Sequence, residues 1–165
     1  MKYLIVAALL AMPLVAAAAS SPDESFYKSA AEAGISEVDL GKLAQGKSTN
    51  QQVKDFGAMM VKDHSAANDK LQSLASSKGI SLPTSASMGQ MATKAKLDVL
   101  KGDTFDKSYI KSQVKAHVDT IKLLNKEIAS GQDADAKGFA QSVLPTVRSH
   151  LKAIQALAAS ENVKS

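Results

Sequence analysis

Residues 110–128 read IKSQVKAHVDTIKLLNKEI, and this stretch decides the fold class. One face collects its apolar residues and one histidine at alternating spacings of four and three: Ile110, Val114, His117, Ile121, Leu124 and Ile128. That spacing places them along one side of an α-helix, while the lysines between them fall on other sides. The stretch therefore predicts a long amphipathic helix whose apolar face packs against partner helices.

Three more segments show the same period, so the sequence predicts an all-α fold. The four predicted long helices run over about 23–45, 50–78, 103–130 and 133–160, and Gly79 and Gly131 follow the second and third as helix-ending residues. Short connections at 46–49 and 131–132 predict two helical hairpins. Gly34, Gly41 and Gly57 lie inside helices, so we expect the first helix to approach a neighbour closely. The alternative is a break in this helix at Gly34-Ile35, with Ser36 capping the part that follows.

A stretch of about 25 residues separates the two hairpins. Its first half, 79–86, has the composition of a loop, and its second half, 88–101, predicts a short helix capped by Ser87 with Gln90 three residues later. Two hairpins joined by a long crossover describe a ferritin-like four-helix bundle. A simple up-down bundle is the alternative, because the middle stretch could also fold locally.

The first residues of the chain predict a signal peptide. Lys2 precedes an apolar run from Leu4 to Val15, and four alanines, 16–19, close the run. A charged start, an apolar run and an A-x-A site predict a secretory signal peptide over 1–19, cleaved after Ala19. The run is shorter than the ~20 residues of a membrane-spanning helix. We therefore expect a mature bundle domain over 20–165 that is periplasmic or secreted and has no transmembrane anchor.

The composition excludes several functional classes. The chain has no cysteine, which rules out thiol catalysis, iron–sulfur clusters and cysteine-ligated zinc. Its net charge of +4 is spread along the chain and aromatic residues make up 4%, so a nucleic-acid partner is not expected. The sequence contains no G-x-S-x-G nucleophile elbow. It therefore favours a protein that is not an enzyme.

The three histidines are the candidate functional residues. Each lies on the apolar face of a different predicted helix, within a repeated Val-cation-x-His pattern: Val61-Lys62-Asp63-His64, Val114-Lys115-Ala116-His117 and Val147-Arg148-Ser149-His150. Glu37 takes the matching position on the first helix. At 1.5 Å per residue the heights of the four residues along the bundle agree to within roughly 9 Å. We therefore expect Glu37, His64, His117 and His150 to converge in the core.

Two interpretations of these four residues stay open. Imidazoles and a carboxylate are ligands for Zn, Cu, Fe, Mn or Ni, and helical bundles build such sites from facing helices, so they predict a site for one transition-metal ion. Alternatively they form a buried polar network in which the side chains satisfy one another. A di-iron centre is disfavoured, because each histidine has valine rather than glutamate three residues before it.

The sequence also resembles a bacterial family of exported proteins. The resemblance spans nearly all of the predicted mature chain and includes AGISEVDLG at 33–41, MVKDHSAAN at 60–68 and QVKAH at 113–117. That family carries a domain of unknown function with a ferritin-like helical bundle, and its members are often labelled outer-membrane proteins. The resemblance implies the fold, the export and a bacterial source, and it supplies no biochemical activity.

Two functional hypotheses follow. The first is a soluble, exported, non-enzymatic protein that binds a transition metal in its His/Glu core. The second is an envelope interaction or stress protein, whose surface binds a protein partner or inhibits a toxin and whose polar core is structural. Metal analysis of the untagged protein separates the two. The sequence does not predict the oligomeric state.

Overall fold

The computed structural model describes residues 21–164, so the predicted signal peptide and its cleavage site lie outside the described residues. The described range contains five helices and no strand: α1 Pro22–Lys47, α2 Gln51–Ser77, α3 Met88–Asp98, α4 Gly102–Ser130 and α5 Ala134–Ser160. The all-α prediction is confirmed, and the long helices begin and end within two residues of the predicted limits. The short helix ends at Asp98, three residues earlier than predicted.

Side-chain caps explain where the helices begin. Ser21 caps α1 by accepting a hydrogen bond from the backbone N–H of Glu24. Ser87 and Gln90 form the predicted capping box at α3, in which each side chain bonds the other residue's backbone N–H. Asp133 caps α5 by accepting from two backbone N–H groups. These caps satisfy donors that have no partner inside a helix.

Polar contacts at one end of the bundle fix the directions of the helices. Ser48, just after α1, donates a hydrogen bond to Asp106 near the start of α4. Asn50, just before α2, donates to Glu161 just after α5, with 2.7 Å between the nitrogen and the oxygen. The starts of α2 and α4 therefore lie at the same end as the ends of α1 and α5. It follows that α2 runs parallel to α4.

The opposite end is joined in the same way. Asp23 near the start of α1 accepts a 2.7 Å hydrogen bond from the backbone N–H of Gln132, just before α5. Lys78, just after α2, lies 3.0 Å from Asp133 and 2.8 Å from Asp135. Each hairpin is thus antiparallel, and the crossover from Lys78 to α4 returns along the bundle. Helix α3 lies in this crossover and packs against α1 and α4.

The core has two apolar clusters, one toward each end of the bundle. The cluster near the start of α2 includes Leu40, Val53, Met60, Ile110 and Ile154. The cluster near the start of α1 includes Phe26, Leu71, Leu124, Phe139 and Val147. The three histidines lie between them along α2, α4 and α5. None of the helices in the range 21–164 has the length and apolarity that crossing a membrane requires.

Two glycines bring α1 and α2 into backbone contact. A Cβ atom built on Gly41 would lie 2.6 Å from the carbonyl oxygen of Gly57, and a Cβ atom on Gly57 would lie 2.7 Å from that of Gly41. Real Cβ atoms essentially never come this close to another atom. The expectation that the first helix approaches a neighbour closely is confirmed, and the neighbour is α2.

Gly57→Ala is expected to lower the free energy of unfolding by about 1–3 kcal/mol, because the new methyl group forces the two backbones apart. Urea unfolding followed by circular dichroism measures the effect. Gly138→Ala is the matched control, since Gly138 lies inside α5 with nothing within 4 Å of a built Cβ atom. The control should raise stability by roughly 0.5–1 kcal/mol. Equal effects of the two substitutions would show that the glycine contact is not tight.

Candidate metal centre

The three histidines meet in the middle of the bundle. His64 from α2, His117 from α4 and His150 from α5 are 8%, 1% and 2% exposed. The centroids of their rings lie 5.5–6.0 Å apart. Each residue offers one ring nitrogen, and the three nitrogens all lie within 4.8 Å of one another. The three side chains therefore lie together in the core, as the sequence predicted.

The tautomer of His117 is set by its own helix. Its Nδ1 atom lies 2.8 Å from the backbone carbonyl oxygen of Gln113, one turn earlier on α4. A carbonyl oxygen only accepts hydrogen bonds, so Nδ1 must carry the proton and donate it. The Nε2 atom of the neutral ring then presents a lone pair. That atom is buried and has no hydrogen-bond partner in the described part of the chain.

Asp63 sets the tautomer of His150 from across the bundle. Its Oδ2 atom lies 2.9 Å from Nε2 of His150, which therefore donates a proton to the carboxylate. The Nδ1 atom of His150 is left with a lone pair, and it is buried and unpartnered, as is Nε2 of His64. Sequence reasoning did not select Asp63. The sequence feature that could have indicated Asp63 is its position directly before His64 in the repeated Val-cation-x-His pattern.

Burial keeps two of the rings uncharged at neutral pH. It lowers the pKa of His64 to about 3, and the nearby His117 and His150 lower this pKa further. It also lowers the pKa of His117 to about 4, although the hydrogen bond to Gln113 opposes the shift. A positive charge is costly in this apolar surrounding. Both rings are therefore neutral at pH 7, the form in which imidazole binds metals.

Glu37, the fourth predicted ligand, is not part of the histidine group. It is 3% exposed. Burial raises the pKa of Glu37 to about 7, and Gln113 opposes that rise although no hydrogen bond of normal length joins them. The Oε2 atom of Glu37 has no partner among the described residues. Glu37 lines a separate cavity of about 510 Å³ between α1, α3 and α4.

A different cavity reaches the histidine group. It has a volume of about 410 Å³, and its lining includes His64, His150 and Asp63. His117 does not line it. The cavity therefore meets the group from the side of α2 and α5, and it links the buried rings to the surface.

The sequence pattern of a domain of unknown function, DUF4142, matches residues 10–157. The chain belongs to this family. The match covers all five helices except the last residues of α5, and so includes the three histidines. None of the curated proteins compared with the chain matches it.

Solved structures similar to this DUF4142 chain share its bundle. A DUF305 fragment from Deinococcus radiodurans has a TM-score of 0.75 at 11% identity, covering 85% of this chain and 97% of that one. A DUF305 protein from Streptomyces coelicolor, presumed to be secreted, has a TM-score of 0.72 at 14% identity, covering 86% and 93%. The protein CopM in its Cu(I)-bound form has a TM-score of 0.70 at 11% identity, covering 86% and 98%. At such identities the likeness establishes the fold alone.

The donor set of the DUF4142 bundle fits a transition-metal ion. Buried polar atoms in proteins almost always have a hydrogen-bond partner, yet three neighbouring imidazole nitrogens have none among the described residues. Two nitrogens on one ion lie at most ~4.2 Å apart, because metal–nitrogen bonds are ~2.0–2.1 Å long. The observed limit of 4.8 Å is close to this value. Small side-chain movements are enough to bring the three nitrogens to one ion.

Proposed function

We propose that the protein is an exported, non-enzymatic bundle that binds one transition-metal ion through His64, His117 and His150. One observation carries the proposal: three neighbouring buried imidazoles each have a ring nitrogen with no hydrogen-bond partner among residues 21–164, and one ring nitrogen from each lies within 4.8 Å of the other two. In His117 and His150 the opposite nitrogen is held by a hydrogen bond, to a carbonyl and to a carboxylate. Metal-binding histidines use such second bonds to fix the ring and its tautomer.

A purely structural polar network explains this arrangement less well. Such a network stabilises a core when its members satisfy one another, and an unsatisfied buried polar group costs about 1–3 kcal/mol. In the tautomers that Gln113 and Asp63 set, Nε2 of His117 and Nδ1 of His150 are both acceptors, so these two atoms cannot bond each other. An ion that accepts electron pairs from all three rings removes the conflict.

The choice of ligands favours copper or zinc within the predicted set of Zn, Cu, Fe, Mn and Ni. Imidazole suits copper and zinc, whereas manganese prefers carboxylates, and Glu37 lies outside the group. Copper also heads the general order of affinities for nitrogen sites. The similar bundle of CopM, which has been solved with Cu(I) and with Ag, supports the same choice.

Export is the second part of the proposal. It rests on the predicted signal peptide over 1–19, and it is supported by the similar DUF305 protein that is presumed to be secreted. The absence of cysteine from the chain suits a compartment in which free thiols would be oxidised. N-terminal sequencing of the mature protein should read Ser-Ser-Pro-Asp.

Metal analysis of the untagged protein tests the binding site. We expect one copper or zinc ion per chain after dialysis against a weak chelator. His117→Ala should remove the ion, and Asp63→Asn should weaken binding 10–100-fold, because it removes the carboxylate that orients His150. Met88→Leu is the control, since Met88 is 85% exposed and carries a thioether outside the group. A parent protein that takes up no ion would contradict the proposal and favour the structural core.

A further inference from the structure

The cavity beside the histidine group has the shape and lining of a ligand pocket. Its volume of about 410 Å³ lies within the ~300–1,000 Å³ typical of small-molecule sites. Apolar side chains from all four long helices form most of its wall, among them Ala33, Ala67, Leu124, Phe139 and Val143. His64, His150 and Asp63 supply a polar part of its lining.

The histidine group offers a metal fewer donors than it normally takes. Within residues 21–164 the group contains three ligand atoms, and Glu37 is not among them. Zinc and its neighbours take four or more, and sites with three protein ligands keep the remaining position for water or a substrate. Since His117 stands away from the cavity while His64 and His150 line it, the cavity is the side from which a further donor can approach.

The charges around the cavity favour a neutral donor. Asp63 and Lys70 are the charged residues that line it. Lys70 lies at the surface, where its Nζ atom donates a 3.0 Å hydrogen bond to Ser142. The side chain of Asp63 is 32% exposed, and its carboxylate holds His150. The carboxylate of Asp63 offsets part of the charge of an ion held beside it, so a carboxylate or phosphate on the ligand gains less attraction there than it would without Asp63, whereas a neutral nitrogen donor meets no repulsion from Asp63.

We propose that this cavity binds a small molecule with an apolar body and a neutral donor atom, such as a heterocyclic nitrogen, which completes the coordination of an ion held by the three histidines. This inference rests on the proposed metal site. The apolar wall supplies affinity for the body of the ligand, and the ion selects its donor atom. The ligand class is therefore neutral aromatic nitrogen heterocycles rather than organic anions.

Cobalt(II) is the probe for the experiment, because its visible absorption changes when a ligand is added. The Co(II)-loaded protein is titrated with imidazole, 4-phenylimidazole and benzoate. We expect 4-phenylimidazole to bind about tenfold or more tightly than imidazole, since its phenyl ring is buried against the apolar wall. Benzoate should bind more weakly than 4-phenylimidazole.

A variant that fills the cavity tests where the phenyl ring of 4-phenylimidazole binds. Val143→Phe places a ring in the half-buried wall of the cavity, and it should abolish the preference for 4-phenylimidazole while leaving Co(II) affinity unchanged. Ala153→Phe is the control, because Ala153 lies on the same helix but lines another cavity. Ala67→Leu on α2 gives the same test if Val143→Phe does not fold.

The outcomes separate the two proposals. Failure of the parent to bind Co(II), or equal binding by His117→Ala, overturns the metal site itself. If Co(II) binds but both imidazoles bind equally, or if Val143→Phe behaves like Ala153→Phe, the metal site stands and the pocket is wrong. A spectral response to benzoate as strong as that to 4-phenylimidazole would also overturn the assigned ligand class.

Discussion

Between pH 7 and pH 4, the free energy of unfolding of the metal-free His64→Leu variant is expected to rise by about 3 kcal/mol relative to that of the parent. The pKa of His64 is about 3 in the folded protein and 6.5 in the unfolded chain. Below pH 6.5 the unfolded chain therefore binds a proton that the folded protein does not. The stability that neutral His64 contributes is present above pH 6.5 and is lost as the pH falls toward 3.

Urea unfolding in EDTA at pH 4, 5, 6 and 7 measures this difference. The comparison must be made between variants, because Glu37 changes the parent in the opposite direction. Its folded pKa of about 7 lies above the ordinary 4.5, so its stabilising effect is full below pH 4.5 and is lost as the pH rises to 7. Glu37→Gln is therefore the control, and its stability relative to the parent should be lower at pH 4 than at pH 7. A pH-independent gap between parent and His64→Leu would show that His64 is not buried.

Copper or zinc at one hundred times the dissociation constant should raise the free energy of unfolding by about 2.7 kcal/mol, because the ion binds the folded state. For a domain of this size that corresponds to a rise in melting temperature of roughly 5–10 °C. His117→Ala should abolish the rise, since His117 supplies one of the three buried nitrogens. Thermal unfolding followed by circular dichroism, without metal and with free metal at one hundred times the dissociation constant, gives the measurement.

EDTA should reverse the rise, and Met88→Leu should retain it. A rise that persists in His117→Ala would place the bound ion elsewhere in the chain. The low pKa values of His64 and His117 add a further expectation, because neither ring has to release a proton before it binds metal near pH 6. Metal binding should therefore depend on pH less steeply than binding to exposed histidines does.

The helices and their buried faces could be predicted because both depend on local sequence. The alternating spacing from Ile110 to Ile128 sets one face of α4, and caps such as Ser87 and glycines such as Gly79 set limits along the chain. The convergence of the histidines followed from one further step. Each histidine occupies a core position near the middle of its helix, and hairpin connectivity brings those positions to one level.

The other residues around the histidine group could not be predicted as closely as the helices. Heights estimated from helix positions agreed only to roughly 9 Å, which spans about six residues of helix. Glu37 was therefore expected in one shell with the three histidines, whereas it lines a separate cavity and is not part of their group. Asp63 was missed because it lies beside the apolar face rather than on it, and its bond to His150 depends on how α2 packs against α5.

The histidine group spans the two hairpins of the bundle. His64 belongs to the hairpin of α1 and α2, whereas His117 and His150 belong to the hairpin of α4 and α5. An ion bound by all three acts as a removable cross-link between two halves of the chain that are otherwise connected through the crossover. Separating the halves requires breaking a coordination bond first, so metal loading should lengthen the lifetime of the folded state as well as shift its equilibrium. The metal-bound protein would then resist proteases, and a chelator would restore its susceptibility.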